Sequence, residues 1–330
     1  MHVEQELSDD AWDALVARTD AIDRWCTSSA WAASAGEAFG SGPPTVLHNA
    51  RPGVDATYAV MLRHEVSERS DGQLVRVVVG PDPVWGFASS IVGDVAHGAA
   101  AAAEYLVDLD GWDVAVFPGI EPGSATEHAI GEQLMRRFPD LRVGADAVRL
   151  VARLDPARAI GDDDPWLLRR SATLRRNLRR AGRAADSAGL QFEVIDGWDP
   201  AATMERLAAI ESRSWKGHEG SGIAAAQMAA FCLGILRRLA PSARRVTVAN
   251  LDRRDVGFIL GGVSAFGYRG AQIAYTTDVA ALSVGHLLQW HEIRRLARAG
   301  VLRYDLGMDI EYKHRFADER YVTRSLIIVR

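Results

Sequence analysis

Three strand-like segments lie almost end to end in the second half of the chain, and no other feature limits the possible folds as much. Arg245–Asn250, Val256–Ala265 and Ala271–Tyr275 are rich in β-branched and small apolar residues and are separated only by LDRRD and GYRG. Connections this short and polar make tight turns, so the segments are expected to pair antiparallel as a meander. The stretch TTDVAALSVGH reads as a loop, followed by a helix to about Ala299 that stops at Gly300. Strands at Val301–Leu306 and Tyr321–Val329 complete this half.

The first half alternates differently. Residues 8–38 read as two short helices, with Ser8 a plausible cap. Strands follow at Thr45–His48, Thr57–Leu62 and Leu74–Val79, then a helix at about 94–107, a strand Trp112–Phe117, a helix at 124–138 and a strand at about 141–152. Beyond it the pattern predicts a long helix from Pro165, a strand Leu190–Ile195 and helices at 200–216 and 223–239. The fold class is therefore α/β (α+β), with mixed, mostly antiparallel sheets flanked by helices. The acidic stretch DPARAIGDDDP divides two expected lobes, 1–155 and 165–330. A chain of 330 residues, 48% hydrophobic, can fill two cores.

Composition removes several classes of function. No window approaches the roughly 18 apolar residues of a membrane span, and the acidic, polar N-terminus MHVEQELSDD is no signal peptide. Cys26 and Cys232 are far apart, so neither a disulfide framework nor a metal site is expected, and the reading is a cytoplasmic protein. Residues 1–150 carry 10 arginines, no lysine and 23 acidic residues, a net −13, whereas the remainder carries +8. A basic half either meets an anionic ligand or attracts the acidic half. The overall acidity and the lack of a recognition motif argue against DNA. Oligomeric state leaves no signature.

Only two of the 38 basic residues are lysines, Lys216 and Lys313. Arginine serves wherever a surface cation suffices but cannot supply a compact ammonium with a tunable pKa. Both lysines sit in unusual company. Lys313 lies in YDLGMDIEYKHRF, where a strand runs into a loop crowded with Asp305, Glu311, Tyr312 and His314. Lys216 lies in IESRSWKGHEGSGI, where Glu211 and Trp215 are four apart and so are expected to share a helix face. The flexible GHEGSG stretch is a candidate substrate lid, with His218 and Glu219 as further bases. Ser283, Val284, Gly285 and His286 open the helix after the meander, where free backbone N–H groups and small residues suit a pyrophosphate. The Arg-rich segment 169–183 either meets phosphates or forms a solvated face. No GxSxG element marks a serine nucleophile.

Together, RRNLRRA, IESRSWKG, IAYTTDVAALSVGHLLQWHEI and RYDLGMDIEYKHRF resemble the CelD-like branch of the GNAT superfamily, which is related to the FemAB and FemX transferases. The resemblance covers roughly 165–330; Val284 stands where proline is common, and Met308-Asp309 where glycine is frequent. It implies two GNAT-like lobes and N-acyl transfer by direct attack, from acetyl-CoA or another acyl-CoA, without a metal, to an amine of a small-molecule or precursor substrate. On it, Ser283, Val284, Gly285 and His286 hold the cofactor, and Lys313 lies near the donor carbonyl to steady the oxyanion. From the residues themselves, Asp305 or Glu311 could be the base and Tyr275 or Tyr312 the acid, with Glu211 a further catalytic candidate. Trp215, Lys216, His218 and Glu311 face the acceptor. FemX relatives take aminoacyl groups from tRNA, so tRNA is the alternative donor. A catalytically inactive binding module would show the same pattern.

Overall fold

The computed structural model describes residues 7–156, 164–195 and 199–330. Most of the expected boundary stretch, 157–163, lies outside the described residues. By its contacts the chain forms two compact units: Met1–Ala147 with Val322–Arg330, and Val148–Tyr321. The division falls before the acidic stretch, and the last strand returns to the first unit.

The first unit opens with three helices rather than two: α1 (Asp9–Arg18), α2 (Arg24–Thr27) and α3 (Ser29–Phe39). The break is set by Asp23, whose side chain caps α2 by accepting from the Cys26 N–H. Then come β1 (Thr45–His48), β2 (Tyr58–Glu68), β3 (Leu74–Val79), β4 (Ile91–Gly93), α4 (Val95–Asp108), β5 (Val114–Ile120), α5 (Ala125–Met135) and β6 (Arg142–Val143). The expected strand at 141–152 is split, because only its first residues serve this unit.

The second unit begins with β7 (Ala147–Arg153), followed by α6 (Pro165–Leu168), α7 (Ala172–Ser187), β8 (Gln191–Val194), α8 (Pro200–Glu211), α9 (Trp215–His218) and α10 (Ala226–Arg238). It continues with β9 (Arg244–Leu251), β10 (Arg254–Ser264), β11 (Gly267–Tyr275), α11 (Val284–Arg298) and β12 (Arg303–Met308). The chain ends in β13 (Glu319–Val329). The single long helix expected from Pro165 is two, because Ser171 takes a non-helical conformation and its side chain accepts from Leu174 N–H as a new cap. Residues 200–216 break in the same way, at Ser214, which caps α9.

The meander is present. β9, β10 and β11 pair antiparallel in order, and β8 adds to β9. Asp252 and Arg253, both with positive φ, make the first turn, as a two-residue hairpin requires. The expected second turn, GYRG, is instead part of β11. β12 joins β11 in parallel after the α11 crossover, and β7 closes the sheet antiparallel to β12. The first unit repeats this plan: β1, β2 and β3 are antiparallel neighbours, β5 is parallel to β3 beyond α4, and β13 is antiparallel to β5. In each unit the closing strand comes from outside the meander–helix–strand run. Apolar side chains of α7 and α11, among them Leu174, Leu178, Leu288 and Ile293, form the core of the second unit with Leu150, Ile259 and Tyr304.

Candidate active site

The candidate residues gather where β11 and β12 part. Their parallel ladder pairs Tyr268 with Tyr304 and Arg269 with Asp305. Beyond those rungs β11 continues to Tyr275 alongside β10, and β12 continues to Met308 alongside β7. Backbone groups facing the opening need other partners. Lys216 supplies one: its Nζ donates to the Ile273 carbonyl at 2.9 Å and to Gln272 Oε1 at 2.6 Å. Burial pulls the Lys216 pKa down, against the attraction of Glu211.

β12 carries a bulge between Asp305 and Gly307. The extra residue frees the Gly307 N–H from the ladder, and it donates to Asp305 Oδ1 at 2.8 Å. The same carboxylate takes Arg269 at 2.5 Å and the fully buried Arg149 at 3.3 Å. Burial pushes the Asp305 carboxyl up, but Arg269, Arg149 and the Gly307 N–H together hold it below its ordinary value. A carboxylate stabilised this way is a poor proton acceptor and a good anchor for Arg269.

Lys313 lies just past the bulge, half-buried, with its Nζ 3.4 Å from the Met308 carbonyl. Burial, assisted by Arg269 and Lys216 and opposed by Asp305, brings its pKa down to about 8. Gly307 has φ +85°, and a Cβ placed there would stand 3.3 Å from Lys313 Nζ and 3.8 Å from both terminal nitrogens of Arg269. The left-handed backbone is what favours glycine at this position.

Glu211 is fully buried at the end of α8. Its Oε1 accepts from the Ala224 N–H at 3.1 Å, whereas Oε2 has no hydrogen-bond partner. Burial raises its pKa, with Lys216 pulling the other way. Gly222 closes over it, since a Cβ there would lie 2.5 Å from Oε1. Glu211 and Trp215 do not share a helix face, because the turn at 212–214 separates them and leaves Trp215 49% exposed. His218, the last residue of α9, and Glu219, which follows it, are exposed, and Glu311 is exposed near Lys313. Tyr312 is 38% exposed, and burial, followed by the nearby Tyr275, raises its pKa.

α11 starts at Val284 behind Ser283, whose left-handed conformation (φ 57°) turns the chain into the helix. No side chain caps this end, so its first N–H groups and positive dipole end suit an anion. The four residues expected at the cofactor differ in what they offer. The Val284 side chain is fully buried in the core, and His286 packs beside Phe316, with its pKa lowered by burial and by Arg315. Val284 can act only through its backbone N–H. Gly285 lies against Tyr275, whose ring carbons would be 2.8 Å from a Cβ at that position.

Sequence reading missed Arg149, Arg269 and Gly307. Arg269 was hidden in a presumed turn, and Arg149 in a strand assigned to the other half. Among the described residues no helix is long and apolar enough to cross a membrane, and no His, Cys, Asp and Glu group is suited to hold a metal ion.

All of these groups except Arg149 lie in the segment that comparison identifies. Residues 172–321 match the model of the acetyltransferase (GNAT) domain family. The fold is that of a GNAT-type acyltransferase. Among solved structures, FemX is similar over 99% of this chain and 97% of its own, with a TM-score of 0.65 at 10% identity. L-PGS from Bacillus licheniformis matches over 100% of this chain and 94% of its own (TM-score 0.55, 13% identity). The C-terminal domain of a protein described as a lysylphosphatidylglycerol synthetase, from Agrobacterium fabrum, matches over 97% and 91% (TM-score 0.57, 14% identity). No protein of curated function matches in sequence.

Proposed function

We propose that this chain is an N-acyltransferase of the CelD-like, FemAB/FemX-related branch with tandem GNAT-like lobes. It moves an acyl group, acetyl in the first instance, from acyl-CoA to the amine of a small-molecule or precursor acceptor. The observation that carries this reading is the parting of β11 and β12 beside the uncapped N-terminus of α11, with Lys313 at the same opening. The donor supplies a thioester carbonyl. The N–H groups of Val284, Gly285 and His286 suit its phosphates.

The chain's own residues divide the remaining work. The amine lone pair attacks the carbonyl carbon, and the carbonyl electron pair moves onto oxygen. Lys313, cationic at neutral pH, balances that charge. Glu211, whose raised pKa suits a base, receives the proton lost by the amine. The carbon–sulfur bond breaks as the carbonyl reforms, and the leaving thiolate takes a proton from Tyr312 or Tyr275. Asp305 fixes Arg269 rather than abstracting protons. Lys216, tied to the edge of β11, sets the local field beside Glu211, and Trp215, His218 and Glu311 stand at the exposed rim for the acceptor.

Calorimetric titration with acetyl-CoA and free CoA, at two salt concentrations, tests the donor. Saturable micromolar binding followed by thiol release with an amine present supports the reading; no binding to either ligand overturns it. A second reading, aminoacyl transfer from tRNA, is favoured by α7. Arg176, Arg179, Arg180 and Arg183 are exposed there, opposite the buried Leu174 and Leu178. Binding of aminoacyl-tRNA that weakens steeply with salt, without CoA binding, would select it.

A further inference from the structure

We infer that the arginine face of α7 is a docking surface for an anionic bilayer, held by the phosphates of its headgroups. The surface is separate from the transfer chemistry, so its test needs no turnover.

The argument starts from helix geometry. Leu174, Leu178 and Ala185 are buried and fix the inner side of α7. At about 100° per residue, Arg176, Arg179, Arg180 and Arg183 then fall on the outer side, within an arc of about 100° and a length of about 10 Å. All four are exposed. Among the described residues none of them meets a carboxylate, not even Asp186, one turn beyond Arg183. The chain has 43 acidic residues and a net charge of −5. It does pair other arginines of this unit, Arg170 with Asp318 and Arg206 with Glu193 and Asp255. Four like charges left together on one helix repel one another. An anionic partner from outside relieves that repulsion.

The borders of the face say which partner. Leu168, 58% exposed, stands beside the first turn of α7, where its carbonyl accepts from Arg175 Nη1 at 3.1 Å. Further along, a Cβ on Gly182 would lie 3.6 Å from the ring of the partly exposed Trp290, on α11. The Arg294 guanidinium lies over that ring, 5.7 Å from its centre. Cations bordered by a leucine and a tryptophan suit a bilayer surface, where the cations meet phosphates and the apolar groups meet the layer beneath. A single-stranded nucleic acid would use aromatic faces among the cations to stack its bases, and the outer arc of α7 carries none. A bilayer is also a plane. A straight helix lying on it brings all four guanidinium groups to headgroups at once, while acidic residues more than about 10 Å away are screened.

Co-sedimentation of the intact protein with vesicles tests this. Phosphatidylcholine vesicles containing about one-third phosphatidylglycerol are expected to carry the protein down at low salt and release it at high salt; pure phosphatidylcholine vesicles are expected to leave it in solution. Each arginine near such a surface is worth about a fivefold change in partition. Arg176→Gln, Arg179→Gln, Arg180→Gln and Arg183→Gln together are therefore expected to weaken binding about 10²-fold or more. Exposed, unpaired positions tolerate such changes, and thermal unfolding checks that the variant folds. If it does not, Arg179→Gln with Arg183→Gln decides, with a loss of about 25-fold expected. A control with the same change of charge at exposed positions of the first unit, Arg18→Gln, Arg51→Gln, Arg137→Gln and Arg142→Gln, is expected to bind nearly as the wild type does. No binding to the anionic vesicles, binding that survives in the α7 variant, or an equal loss in the control overturns the surface. Unfractionated tRNA is titrated in parallel. RNA binding that the α7 variant loses, in a protein that ignores the vesicles, assigns the helix to nucleic acid and overturns the bilayer.

Discussion

Replacing Lys313 by methionine should make the protein more stable and nearly inactive. Methionine keeps the unbranched apolar stem and removes the charge. The Lys313 pKa of about 8 lies roughly two units below that of a free lysine, which is about 3 kcal/mol at 1.36 kcal/mol per unit. Solvent screening of a half-buried amine reduces this to about 1–2 kcal/mol. For a domain of 150–250 residues, that raises Tm by about 2–8 °C. The pH dependence follows from the direction of the shift. Below pH 8 the lysine is charged in both folded and unfolded chains, so the penalty is fully present. Between pH 8 and about 10.4 the folded form sheds its proton first, and the penalty fades. The groups setting this balance are Arg269 and Lys216, which repel the ammonium, and Asp305, which attracts it. Calorimetric melting of both proteins at pH 7 and pH 10 should show the methionine protein ahead at the lower pH, with most of that lead gone at the higher. A less stable variant at pH 7, or a gap that does not change with pH, would refute the argument that Lys313 is held against its electrostatic preference.

Asp305→Asn removes the anchor of two buried arginines and should cost about 3 kcal/mol, lowering Tm by about 6–12 °C. Because the Asp305 pKa is depressed, its contribution is present above about pH 4 and is lost as pH falls through the folded value, so the gap to the wild type should close in acid. Glu211→Gln keeps the acceptor for Ala224 N–H but cannot take a proton; kcat/KM should fall about 10²-fold and lose the wild type's decline toward low pH. Gly285→Ala drives a methyl into the Tyr275 ring at the start of α11, and calorimetry should show CoA binding weakened about tenfold or more. Lys313→Arg keeps the charge but not the compact ammonium, and most turnover should be lost with CoA affinity unchanged.

The sequence by itself determined the local matters. Short connections forced the meander of β9, β10 and β11, since strands that close in sequence pair most readily as hairpins. A glycine stop and an apolar stripe placed α11, and the scarcity of lysine singled out Lys216 and Lys313, which the fold brings to the same opening. What the tertiary structure decided was everything that depends on contacts distant in sequence. Arg149 is 156 positions from Asp305, and no periodicity announces that pairing. Nor could patterning tell that residues 147–153 would close the second unit and residues 322–329 the first, because a strand's apolar run is the same whichever edge it joins. Gly307 makes the same point on the smallest scale. Its left-handed φ is a local property, but its nearness to Lys313, six residues on, and to Arg269, on the neighbouring strand, is set only by the fold.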